Sequence, residues 1–430
     1  MDLLPARLFV GVDWATQEHQ VCILSPPGDS TKQRSFAHSG EGLAALVAYL
    51  AKLTEGHLDE IHVGIEVPHG AVVETLLEHG CQVFSINPKQ LDRFRDRFSL
   101  AGAKDDRRDA YVLAASLRTD RHSFRHLRID KPLVIELREW SRIHDELSRE
   151  RTRLTNRLCE QFRRYFPQYL DLSEDVGDKW LLALWKLAPT PARAQKVRPS
   201  TVAKLLKRHR IRRIQHSEVL EILRKPAVCV APGTTEAATA HIALLVERLK
   251  VVNKQMHKAA VTLDTILEKM SITEETDSAN QKSGEQRDSD ILLSLPGVGR
   301  IVLSTLLGEA SQIIHQQDYH ALRALTGVAP VTLRSGKSCR VVMRQACHPR
   351  LRLACYHWAR VAMQRDPRCR EIYTRARKRG KKHGTALRIL ADYLVSVACS
   401  MLRHRTLYDP HRNRALSASQ TQEHTQRTPD

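Results

Sequence analysis

Clustered cysteines, a stretch resembling a leader and an unbroken apolar run are all absent from the residues given. Its nine cysteines are scattered through 430 residues. An odd, unclustered set argues against a disulfide scaffold and for reduced intracellular thiols. Cys339, Cys347, His348, Cys355 and His357 fall close together but lack the Cys-x₂₋₄-Cys spacing of a zinc knuckle, so core or surface positions are expected for them. The opening Met1-Asp2-Leu3-Leu4-Pro5 is acidic and runs directly into a strand, unlike a signal peptide. The least polar window, Ile291 to Gly308, is broken by Pro296, Gly297, Gly299 and Arg300 and makes a poor membrane span. Acid is scarce as well: 48 Asp and Glu against 68 Lys and Arg leave a formal charge of +20. Such an excess calls for a polyanionic partner, most simply nucleic acid, ahead of a membrane surface. The length suffices for two or three domains with a sizeable core.

The few acids are not spread evenly. Ala101-Gly-Ala-Lys-Asp-Asp-Arg-Arg-Asp-Ala110 sets Asp105, Asp106 and Asp109 beside Lys104, Arg107 and Arg108, ahead of a helical run. With a helix starting near Asp105, Asp106 and Asp109 share a face and Asp105 can cap the first turn. A salt-bridged helix start and one half of a divalent-metal site are both consistent with these ten residues.

Earlier in the chain, Leu8-Phe9-Val10-Gly11-Val12-Asp13 and Ile61-His-Val-Gly-Ile-Glu66 are apolar strands that each end in an acid. Further strands are expected at His19 to Leu24, Thr31 to Phe36 and Gln82 to Ser85, with helices at Gly42 to Leu53 and Ala71 to Glu78. That order gives an α/β domain with a mixed sheet, in which strand ends project into a common crevice. Solvent exposure explains either acid alone; together with Asp106 and Asp109 they suit a pair of Mg²⁺ ions serving phosphoryl transfer.

From Leu133 to about Tyr165, and again from about Thr235 to Lys269, apolar residues recur at helical spacing among arginines and lysines, predicting two long antiparallel helices. Between them, Thr201 to Ile214 forms a basic, helical run with Arg208 and Arg212 as candidate phosphate contacts, and Pro189 to Pro199 reads as a link. Leu292-Leu-Ser-Leu-Pro-Gly-Val-Gly299 has the look of a hairpin between helices, whose Gly297 and Gly299 could admit a phosphate at the next helix start. A loop-like segment follows with Ser335-Gly336 flanked by Arg334, Lys337 and Arg340, where a hydroxyl among cations could attack a phosphodiester. Farther on, Arg377, Lys378, Arg379, Lys381 and Lys382 make a dense basic patch suited to nucleic acid. The expected organisation is therefore 1–130 catalytic α/β, 131–272 long basic helices, 273–290 polar linker, 291–410 helical, and 411–430 disordered.

Val10-Gly-Val-Asp13, Gly64-Ile-Glu66 and Lys104-Asp-Asp-Arg-Arg-Asp-Ala110 resemble the three acidic blocks of the DEDD insertion-sequence transposases. The resemblance extends through Leu295-Pro-Gly-Val-Gly299, Glu309 and the block around Ser335 to Tyr408-Asp409-Pro410. It implies a ribonuclease-H-like (RuvC-like) first domain, with Asp13, Glu66, Asp106 and Asp109 as metal ligands and catalytic acids. It also implies Ser335 as a nucleophile that becomes linked to DNA, in a helical transposase domain. Asp105 stands where the family often has a small hydroxyl residue, and Val67-Pro68-His69-Gly70 keeps only the glycine of the family's loop. Kinship further implies double-stranded DNA and a structured RNA from the element as partners. Assembly as dimers or tetramers, with one subunit's acids beside another's serine, and a cytoplasmic, nucleoid-bound location follow in the same way. Two other readings fit the residues: a junction-resolving nuclease with water as nucleophile, and a non-catalytic nucleic-acid-binding protein.

Overall fold

The computed structural model describes residues 5–25, 31–98, 105–277, 287–336 and 338–410, which fall into two compact units, Met1–Asp130 and Lys131–Asp430. The first unit is built on β1 (Leu8–Asp13), β2 (Glu18–Leu24), β3 (Thr31–Ala37), α1 (Gly40–Leu53), β4 (Ile61–Ile65), α2 (Ala71–Glu78), β5 (Gln82–Ser85), α3 (Pro88–Phe98), α4 (Asp106–Asp120) and β6 (Arg125–His126). Its sheet has the order β3-β2-β1-β4-β5-β6. The first three strands are antiparallel, β1, β4 and β5 run parallel, and β6 returns antiparallel on β5. The mixed sheet expected from the strand and helix order is therefore present. Every residue of β4 is buried, as a central strand covered on both faces requires.

One feature of β1 and β4 positions everything that follows. Gly11 and Gly64 are direct neighbours in their parallel ladder, and α4 lies in the trough that these two missing side chains leave. Ala110, Val112, Leu113 and Ala114 on α4 are buried there. Helix α3, which the sequence reading did not contain, is anchored by buried Leu91 and by Phe94 edge-on to Phe124, while Asn87 caps it through the Lys89 amide at 3.0 Å. Its string of charged residues hides the apolar signal.

The second unit begins with α5 (Pro132–Tyr165), continues through α6 (Lys179–Leu187), α7 (Pro191–Lys196), α8 (Pro199–Arg208) and α9 (His216–Leu223), and returns along α10 (Thr234–Asp277). Cross-links from Arg157 to His241, Glu150 to Arg248 and Arg151 to Asn253 run in opposite sequence directions, which makes α5 and α10 antiparallel. The pair spans two cores. Leu154, Leu158 and Phe162 pack with Leu245 and Leu249 and with the small helices between, including Trp180, Leu205 and Val219. At the other end, Leu137, Leu263 and Ile266 join the core of the helices that follow. Those are α11 (Asp288–Ser294), α12 (Arg300–His315), α13 (Tyr319–Leu325), the hairpin β7 (Val331–Ser335) and β8 (Ser338–Val342), then α14 (Pro349–Arg365), α15 (Pro367–Lys378) and α16 (His383–His404).

Several boundaries differ from expectation. The link over Pro189 to Pro199 contains α7, started by the Thr190 hydroxyl accepting from the Arg193 amide. The basic run from Thr201 to Ile214 is helical only to Arg208; Arg210 turns into the left-handed region (φ 56°), so Arg212 and Arg213 lie beyond the helix. The polar stretch 273–290 is helical at both ends, since α10 reaches Asp277 and α11 starts at Asp288; glutamates there are good helix formers. Residues 411–430 lie outside the described residues. Among the described residues one helix, α16, is long and apolar enough to cross a membrane. It serves as a core helix, with Leu387, Leu390, Leu394 and Val395 buried.

Candidate active site

The first unit gathers four acids. Asp13 is the last residue of β1, and Glu66 follows directly on the neighbouring parallel strand β4. Both are half-buried. Asp105 caps α4, its carboxylate accepting from the Arg107 amide at 3.2 Å, so Asp106 and Asp109 occupy the first turn. Asp106 is exposed and Asp109 is buried. Because α4 rests in the glycine trough two residues before the strand ends, its acidic first turn is brought to the carboxyl ends of β1 and β4.

The electrostatics of Asp13 report that convergence. Burial, then the charges of Asp109, Asp106 and Glu66, push its carboxyl from the ordinary 3.8 up to about 6, against a lowering by Arg95. Four hard oxygen donors that repel one another are chemically suited to Mg²⁺. As they stand, no three acidic, histidine or cysteine side chains among the described residues form a ready ligand group. One of the four acids, Asp109, is instead engaged by α3. Arg95 grips both oxygens of Asp109, Nε donating to Oδ1 at 2.6 Å and Nη2 to Oδ2 at 2.7 Å, while Nη1 donates to Asp92 Oδ1 at 2.5 Å. Sequence reasoning missed Arg95; its signal was the charged run Asp92-Arg-Phe-Arg-Asp-Arg97 just ahead of the acidic block.

The second unit carries Ser335. The segment expected as a loop is a two-stranded hairpin, with Ser335 paired to Ser338 at its tip and Gly336 in the left-handed region (φ 52°). Such a tight turn wants positive φ, which glycine supplies without a steric penalty. The ribbon is open: Thr332 to Gly336 and Ser338 to Val341 are exposed among the described residues, Leu333 to 55% and Val341 to 66%. Arg334 sits opposite Cys339, and Arg340 opposite Leu333, one pair behind the serine on its own face. Lys337, also a candidate, lies outside the described residues.

The remaining candidates divide. Arg208 and Arg212 are exposed, as are Arg377, Lys378, Arg379, Lys381 and Lys382 around the turn from α15 to α16. Arg377 is partly committed, donating to the Lys381 carbonyl at 2.8 Å. Gly299 opens α12 with nothing near a side-chain position. Gly297 differs: a β-carbon there would meet the Ala362 nitrogen at 2.6 Å, and Trp358 Nε1 donates to the Pro296 carbonyl at 3.0 Å. That glycine is accounted for by close packing against α14. Nearby, Glu309 on α12 is almost fully buried and receives both Nε and Nη2 of Arg142 at 3.0 Å, a bond from Arg350, and His348 at 3.5 Å. Burial raises its carboxyl, but these cations outweigh it and hold Glu309 below the ordinary value.

Both units match known transposases. Residues 10–167 match a DEDD transposase model of the IS110 type, and residues 289–374 match a model described as "Transposase IS116/IS110/IS902 family". The chain therefore carries transposase domains of the IS110/IS116 family of insertion sequences. It is 58% identical over 207 residues to the putative transposase y4uE of Sinorhizobium fredii, covering 48% of this chain and 57% of that protein. It is 29% identical to the mini-circle putative transposase for IS117 of Streptomyces coelicolor, over 94% of this chain and 96% of that protein. An uncharacterized 43.6 kDa protein of insertion element IS110, from the same organism, is 26% identical over 94% of this chain and 95% of its own length.

Proposed function

We propose that this chain cuts and rejoins DNA as the recombinase of an insertion sequence, its first unit a ribonuclease-H-like domain and Ser335 its nucleophile. The observation that carries this reading is the convergence of Asp106, Asp109 and Glu66 on Asp13, whose charges add to burial in pushing that carboxyl up to about 6. Asp13, Glu66, Asp106 and Asp109 would hold a pair of Mg²⁺ ions. When bound, these neutralise charge that builds on the scissile phosphate.

In the proposed reaction the Ser335 hydroxyl oxygen attacks phosphorus, the P–Oγ bond forms and the P–O3′ bond breaks. The serine proton ends on the departing 3′ oxygen. A 3′-hydroxyl of the partner strand then attacks the phosphoserine, remaking a phosphodiester and returning the proton to serine. Arg340, on the same face of the exposed hairpin as the serine, would bind the DNA backbone beside it, and Arg334 projects from the opposite face. The exposed basic residues near Arg208, Arg212 and Arg377 to Lys382 support binding of double-stranded DNA and of a structured element RNA by counterion release. Self-assembly and an intracellular, DNA-bound location complete the reading.

Mass spectrometry of protein trapped on cleaved DNA tests it: a DNA adduct on Ser335 is expected, and none in Ser335→Ala. Cleavage without any adduct, or an adduct that survives in Ser335→Ala, would replace the serine with water or another residue, as in a junction-resolving nuclease.

A further inference from the structure

Arg95 makes the most specific contact in the acidic site, and nothing in the proposed chemistry uses it. Its guanidinium lies flat against Asp109 with two bonds of 2.6 and 2.7 Å, and its third nitrogen is held by Asp92 one turn earlier on the same helix. Asp109 is buried, with a side chain 8% exposed, whereas the side chain of Asp92 is 66% exposed. A planar fork of this kind satisfies both oxygens of a carboxylate at once. A divalent ion drawing on Asp109 would then stand within a few ångströms of a fixed positive charge, and the two cations repel.

We propose that Arg95 is a positioning residue that holds Asp109 until a divalent cation displaces it, with Asp92 keeping the released guanidinium beside the site. Arg95 thus acts as a built-in competitor. It keeps Asp109 ordered while the site is without metal, and it sets how much cation is needed to assemble the ligand group. Arg95 on α3 bonds Asp109 on α4, so the exchange joins the setting of α3 to metal binding.

The inference rests on the metal reading of the four acids, and calorimetric titration of the full chain with Mn²⁺ separates the two. Arg95→Ala and Arg95→Gln are expected to bind Mn²⁺ about tenfold more tightly than the unaltered chain, since a cation competing at short range is removed. Arg95→Lys, which keeps the charge and loses the fork, should fall between them. The melting temperature without metal should drop in Arg95→Ala, and Mn²⁺ should raise it by more than in the unaltered chain. Unchanged or weaker binding in both neutral variants, with binding abolished in Asp13→Asn, would overturn the role of Arg95 and leave the metal site standing. Absence of saturable Mn²⁺ binding in every variant would overturn both.

Discussion

Gly11 on β1 and Ala110 on α4 are in backbone contact: a methyl added to Gly11 would stand 1.9 Å from the Ala110 carbonyl oxygen and 2.6 Å from the Ala114 nitrogen. This approach accounts for the glycine two residues before Asp13, and the paired Gly64 two residues before Glu66 extends the same trough. Gly11→Ala must push α4 outward and should cost about 3 kcal/mol, in the range of overpacked cores. Gly64→Ala meets its nearest atom, the Leu113 carbonyl oxygen, only at 3.1 Å and should cost about half as much. Urea denaturation of the two variants checks the order; a Gly11→Ala protein as stable as the unaltered chain would contradict it.

Asp106 is the exposed member of the acidic set, so its removal tests chemistry with little disturbance of packing. Asp106→Asn is expected to lower DNA cleavage by roughly a hundredfold or more while leaving DNA affinity in place, because a ligand of the metal site is lost and the basic surfaces are untouched. Cleavage assays beside filter binding read the two separately. Undiminished cleavage would remove Asp106 from the site.

The parts of this molecule that were legible in the sequence are those where one local pattern decides the structure. Apolar strands closing in Asp13 and Glu66, the capped start of α4 and the long repeats of α5 and α10 are of this kind. Helix α3 was hidden because, among its described side chains, Leu91 and Phe94 meet the core along a charged stretch. With α3 went Arg95, whose meaning depends on a contact with Asp109 that no spacing rule encodes. The hairpin holding Ser335 read as a loop because its strands are short and exposed, so no buried face writes an alternating pattern. Gly297 matched a phosphate-binding turn, yet its neighbour Ala362 is a packing partner from another helix.

Glu309 should prove a structural residue of the second unit. Its carboxylate, 4% exposed, is shared by Arg142, Arg350 and His348, and Arg350 also donates to the Ser141 hydroxyl at 2.9 Å. Glu309→Gln leaves two half-buried guanidinium groups with one carboxylate fewer, Arg142 keeping Glu139 and Arg350 keeping Asp145, and should cost about 2 kcal/mol at neutral pH. Its pKa is lowered in the folded state, so the contribution is full above the ordinary carboxylate range and fades as pH falls through the folded value. The difference in stability between Glu309→Gln and the unaltered chain is therefore expected to shrink under acid. An equal difference at pH 7 and pH 3 would assign the cost to something other than charge.

Asp13 has the opposite sign. Its folded value of about 6 lies above the ordinary 3.8, since burial and the charges of Asp109, Asp106 and Glu66 disfavour the ionised form. Between roughly pH 4 and 6 the folded chain binds the proton that the unfolded chain has lost, so stability falls as pH rises through this window. Above it the penalty is fully present. Asp13→Asn removes that penalty and should melt higher than the unaltered chain at pH 7.5 without divalent metal, with the advantage gone near pH 3.5. Addition of Mg²⁺ should reverse the order at pH 7.5, because the cation stabilises the chain that keeps all four acids and has less to bind in the variant. Melting curves at the two pH values, with and without Mg²⁺, decide it: a variant less stable than the unaltered chain at pH 7.5 without metal would mean that Asp13 is held in the fold by a favourable partner and not by its neighbours' repulsion.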